Sequence, residues 1–153
     1  MYLLILLLPL FGAALAGFGG FYIGRQGGAA VTIFSLALAT VLAFYIFYEV
    51  ALGGSVTSVK LFSWLTISGY SIRFGLLFDA LTSVMLVIIT FISLCVHLYS
   101  LNYMEKDPHL SRFLAYLSLF TFFMVLLVTA DNFLQMFLGW EGVGLCSYLL
   151  INF

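Results

Sequence analysis

The sequence predicts an all-α integral membrane protein, about five transmembrane helices with a short surface β-hairpin between helices 2 and 3. Three observations predict it. Of the 153 residues, 65% are hydrophobic and only 7% charged, against roughly 25% charged in a soluble domain, and mean hydropathy is +1.24. The apolar runs reach the roughly 20 residues that a helix needs to cross a hydrocarbon layer about 30 Å thick. One stretch, residues 56–77, departs from this pattern and alternates with period two.

The spans read as about 2–23, 29–51, 79–101, 110–129 and 132–153, all within a single membrane domain covering residues 1–153. The first has no basic leader and is longer than a signal-peptide core of about 7–15 residues, so it reads as a retained anchor. No amphipathic, Arg-rich presequence precedes it, and so apolar a chain is expected to be made in the compartment where it inserts. Ala13, Gly17, Gly20 and Gly24 are spaced as small-xxx-small pairs that let helix backbones approach in lipid. In the hairpin segment, Leu61, Ser63, Leu65 and Ile67 alternate with mostly polar neighbours, as do Tyr70, Ile72, Phe74 and Leu76. Ser68-Gly69 supplies a turn between them. The alternative for this segment is an interfacial helix; a hairpin would lie on the membrane surface or against a neighbouring subunit. The loop from Asn102 to His109 carries Glu105, Lys106, Asp107 and Pro108, a solvated connection. Arg25, Lys106 and Arg112 fall on one side of the membrane against Lys60 and Arg73 on the other, which places the N-terminus outside.

Several function classes drop out. Net charge is -1 with no basic stripe, so nucleic acid is not an expected partner. Cys95 and Cys146 lie in apolar spans without a CxxC or His/Cys cluster and read as free thiols, not metal ligands. Gly142-Val143-Gly144 lacks the third glycine of a dinucleotide fingerprint, and no P-loop, nucleophile elbow or metal-binding helix occurs. No cofactor and no metal are expected in this chain.

Most charged residues sit at span ends. Asp79 and Asp131 open helices and are placed to cap free N–H groups. Arg112 can snorkel to the interface, and Glu49 can reach headgroup water. His97 lies about one turn inside the third span, where it could exchange a proton or hydrogen-bond a neighbouring helix. Glu141 differs, because it falls near the middle of the span from Asn132 to Phe153. An ionised carboxylate there must be paired, hydrated or protonated. Gly144, Leu145 and Tyr148 follow at i+3, i+4 and i+7, on the same helix face. Gly144 leaves room for water or a partner helix, and the Tyr148 hydroxyl can extend a hydrogen-bonded chain, so Glu141 is the candidate proton relay. The bland reading is that Gly139, Gly142 and Gly144 only allow tight packing, with Glu141 locked in an inert ion pair.

The run HLYSLNYMEKDPHLSRFLAYLSLFTFF from His97 to Phe123, then ADNFLQMFLGWEGVGLCSYLLINF from Ala130 to Phe153, resembles mitochondrial NADH–ubiquinone oxidoreductase chain 5. The LLFDALTSVML stretch from Leu76 to Leu86 and the opening YLLILLLPLFGAALAGF share that look. Such proteins are antiporter-like subunits of respiratory complex I, related to cation/proton antiporter subunits. The resemblance implies that Glu141, the acid of the GWEGVGL motif, is an intramembrane protonatable site paired with a lysine on a later helix. No Lys or Arg follows Arg112, and the family's chains carry many more spans. A split gene, a truncated product or a partial sequence would each account for this.

The leading expectation is therefore a membrane-arm subunit of complex I in the mitochondrial inner membrane, with Glu141 contributing to proton translocation coupled to NADH–ubiquinone oxidoreduction. NAD, FMN, iron–sulfur clusters and ubiquinone would belong to other subunits. Expected partners are other complex I membrane subunits, lipid, and a second polypeptide bearing the Lys partner of Glu141. The alternatives are the N-terminal part of a cation/proton antiporter subunit, or a vestigial fragment that stabilises the membrane arm.

Overall fold

A computed structural model describes residues 2–153, apart from the side chains of Trp64 and Leu65. Among the described residues, four helices are long and apolar enough to cross a membrane. The first, α1 (Tyr2–Ile46), has twice the required length, and Gly24 breaks it with φ 86° and ψ 177°, a backbone region open essentially to glycine alone. Its two arms, 2–23 and 25–46, fold back on each other: a Cβ on Gly12 would sit 3.2 Å from the Ser35 Cβ. In a straight helix those positions would be about 35 Å apart. The fold-back makes five helical arms, and it corrects the expected connection at 24–28, because Gly24 alone turns the chain and residues 25–28 are already helical.

A π-helical turn (Phe47–Leu52) ends the second arm. Glu49 lies in it beside the Tyr2 hydroxyl, with Oε2 enclosed, so this carboxylate is not simply turned out to headgroup water. Strands β1 (Thr57–Ile67) and β2 (Tyr70–Phe78) then form the antiparallel hairpin, which excludes the interfacial-helix reading. Ser68 and Gly69 have φ of 49° and 86°, the double positive φ that matches a two-residue turn to strand twist. Period two holds on β2, where Ile72, Phe74, Leu76 and Phe78 face inward. On β1 the expected Leu61–Ser63–Leu65–Ile67 face is broken, because the register shifts between Lys60 and Phe62 and again between Ser63 and Leu65. Each such bulge flips the following side chains to the other face. Phe62, not Leu61, thereby stacks on Phe74 at 5.2 Å.

Helices α2 (Ala80–Tyr103), α3 (Leu110–Val128) and α4 (Phe133–Ile151) complete the chain. Hydroxyls join them where lipid offers no water. Ser118 Oγ donates to the Pro9 carbonyl at 2.8 Å, Ser111 Oγ to Ala16 at 3.0 Å, and Thr40 Oγ1 to Thr90 at 3.3 Å, while Ser93 and Thr121 share a hydrogen bond across α2 and α3. Such bonds, with small-residue contacts, hold helices together in lipid, because burial from water contributes little there. The apolar core gathers toward the hairpin end, around Ile5, Leu36, Ile46, Phe78, Leu86 and Val125.

The helix starts partly match expectation. Asp79 caps α2, its Oδ1 accepting from the Thr82 N–H at 2.8 Å, and that bond holds the carboxyl below its ordinary value. For α4 the cap is Asn132, whose Oδ1 accepts from the Gln135 N–H at 2.8 Å. Asp131 falls one residue too early to cap and lies instead beside Gly75. Arg112 is exposed in the first turn of α3, and its Nε donates to the Tyr116 hydroxyl at 2.7 Å, one turn along the helix. Cys95 and Cys146 are free thiols.

Candidate functional site

The candidate site is the outer face of α4. Glycine spacing sets its orientation. Gln135, Gly139, Gly142 and Cys146 are buried and form one stripe. A Cβ on Gly139 would come within 2.9 Å of the Leu127 backbone, and one on Gly142 would run into the Phe123 ring. These two glycines let α4 lie directly on α3. Gly144 points elsewhere and has open space around it. Tight packing thus accounts for two of the three glycines and not for the one beside Glu141.

Glu141 is exposed on the opposite face, eight residues past the start of a 19-residue helix, or about 12 Å along it. Phe137 and Trp140 before it, and Leu145 and Tyr148 after it, are 56–65% exposed. Among the described residues the Glu141 carboxylate makes no hydrogen bond or ion pair. An isolated charge at the centre of a membrane-spanning helix would cost about 2.5–3.5 kcal/mol on insertion scales, and more in simulations. α4 is also the least covered of the four helices. The face is chemically suited to receive a helix that presents a cation at mid-depth.

Gly144 and Tyr148 share this face, but His97 does not. It is fully buried on α2, with Nδ1 2.7 Å from the Ser93 carbonyl of its own helix. Thr82 Oγ1 donates to the Val128 carbonyl and Leu76 bridges Ala130, so α2 and α4 begin at the same level. His97, 17 residues along α2, therefore lies about 13 Å farther along the helix bundle than Glu141, toward its opposite end. An apolar groove of about 650 Å³ on the flank of α4, between Met85, Leu127, Met136 and Trp140, holds no titratable group along the way.

The residues that position the site were harder to foresee. Asn132 Nδ2 donates to the Arg73 carbonyl at 2.6 Å, and the buried Gln135 Oε1 accepts from the Gly75 N–H at 3.2 Å. With Leu77 N–H donating to Thr129 at 3.0 Å, they tie the hairpin to the start of the Glu141 helix. The available signal was the Asn-x-x-Gln pattern of a helix start, masked by the adjacent Asp131. Among the described residues no group of His, Cys, Asp or Glu is arranged to hold a metal ion.

The family described as NADH-Ubiquinone oxidoreductase (complex I), chain 5 N-terminus, matches residues 64–114. Across all 153 residues the chain is 54% identical to NADH-ubiquinone oxidoreductase chain 5 of Arabidopsis thaliana, 50% to that of Dictyostelium discoideum and 53% to that of Metridium senile. It spans 23% of the length of the first two and 26% of the third. Over its whole length, the chain belongs with the N-terminal portion of the NADH–ubiquinone oxidoreductase chain 5 family.

Proposed function

We propose that this chain forms part of the membrane arm of a mitochondrial complex I, and that Glu141 serves there as a proton-loading site. Translocation is driven by NADH–ubiquinone oxidoreduction, whose NAD, FMN, iron–sulfur and ubiquinone chemistry resides on other subunits. The observation that carries this reading is a mid-membrane carboxylate on an open helix face, beside a glycine with free space.

No Lys or Arg follows Arg112, and none of the five basic residues meets Glu141. The cation must then come from a helix outside these 153 residues, on a continuation of this polypeptide or on a second one. A Lys within about 4–6 Å would favour the carboxylate form, and withdrawing or neutralising it would favour proton uptake. Gly144 gives water or the incoming side chain access, and the Tyr148 hydroxyl, two helical turns along the same face, extends the chain of hydrogen-bonding groups.

Glu141→Gln in the assembled complex tests the proposal. The expected result is a complex of normal composition with impaired proton pumping. Normal pumping with intact assembly would overturn the relay, and loss of assembly would show that the pair is chiefly structural.

A further inference from the structure

A second polar group lies over apolar surface on the far side of the molecule. On the first arm of α1, Leu10, Ala13, Ala14, Gly17 and Phe18 recur at i, i+3, i+4, i+7 and i+8 and make one stripe. Its small residues leave a groove of about 370 Å³ against α3, closed on that side by Ala115, Tyr116 and Leu119, with Arg112 at its mouth.

The posture of Arg112 is unusual. Helical side chains lean toward the helix N-terminus, which at the first turn of α3 would carry a guanidinium out to water. Arg112 leans the other way, with Nε bonded to the Tyr116 hydroxyl and Cζ 5.5 Å from that ring's centroid. Nε is thus occupied, while the two terminal amino groups have no hydrogen-bond partner among the described residues. The nearby acid Asp107 does not take that role, since its Oδ1 accepts from the His109 N–H. Glu105 and Lys106 are exposed in the same loop.

We propose that this groove binds one anionic glycerophospholipid, the Arg112 amino groups holding its phosphodiester and the Ala13–Ala14–Gly17 floor taking an acyl chain. The charge is complementary, the first turn of α3 stands at headgroup level, and a guanidinium offers phosphate a planar fork. Tyr116 acts as the positioning residue that aims the fork along the groove.

The test places the assembled complex containing the chain in phosphatidylcholine vesicles doped with photoactivatable phosphatidylglycerol, with photoactivatable phosphatidylcholine as the control, and maps labelled peptides. Phosphatidylglycerol should label the 10–18 segment preferentially, and Arg112→Gln should lower that labelling by about fivefold, the loss expected for one basic residue at an anionic surface. Gly17→Leu, which fills the floor without touching Arg112, should lower it similarly with assembly unchanged. Equal labelling by both lipids, indifference to Arg112→Gln, or cross-linking of this segment to a protein subunit instead of lipid would each overturn the proposal.

Discussion

Asn132 joins the hairpin to the helix of Glu141: its Nδ2 donates to the Arg73 carbonyl at 2.6 Å while its Oδ1 caps α4. Together with the Gln135–Gly75 and Leu77–Thr129 bonds, this side chain fixes the start of the Glu141 helix against the hairpin. Asn132→Ala should lower stability by about 1–2 kcal/mol, losing both the cap and the tether. Asn132→Asp keeps the cap and loses only the donor, so its melting temperature should fall between the two. Equal values for Ala and Asp would show that only the tether matters.

The glycines of α4 should respond unequally. Gly139→Ala places a methyl against the Leu127 backbone, which cannot swing aside, and overpacking of this kind typically costs about 1–3 kcal/mol. Gly144→Ala meets open space and should leave the thermal stability of this segment unchanged or slightly raised. In the complete complex Gly144→Ala gains a second use, since reduced pumping there would report that the space beside Glu141 is occupied by the relay.

Asp79 predicts a pH dependence at the first turn of α2. Its carboxyl is held low by the Thr82 N–H, so its contribution is fully present above the ordinary carboxylate value of about 3.9. That contribution is lost as pH falls through the lower native value. Asp79→Ala should lower protection of this turn in hydrogen exchange at neutral pH, and the difference from wild type should close on acidification. A constant difference across pH would assign the effect to packing.

His97 is buried at a helix junction away from the Glu141 face. His97→Gln should cost about 1–3 kcal/mol of stability through a misplaced buried polar group, while pumping per assembled complex is retained. Impaired pumping at unchanged assembly and stability would instead place His97 on a proton path.

Local chemistry made much of this legible. The hairpin was readable because period two and Ser68-Gly69 are local signals, and its observed turn has the expected positive φ at both positions. The Asp79 cap was readable for the same reason. The bulges of β1 were not, because register is set by pairing across the two strands, which here places Phe62 over Phe74. Asp131 was mistaken for the cap because Asp and Asn are equally good there, and only the hairpin's Arg73 carbonyl favours Asn132 with its additional donor.

By itself the sequence determined that the chain is built of helices long and apolar enough to cross a membrane and that a carboxylate falls near the middle of the last of them, because length, hydropathy and the position of Glu141 are properties of the linear chain. Only the tertiary structure decided which way that carboxylate faces. Gly139 and Gly142 admit the backbone and ring of α3 so closely that α4 must turn that edge inward, and Glu141 and Gly144, on the other side of the same helix, are left open.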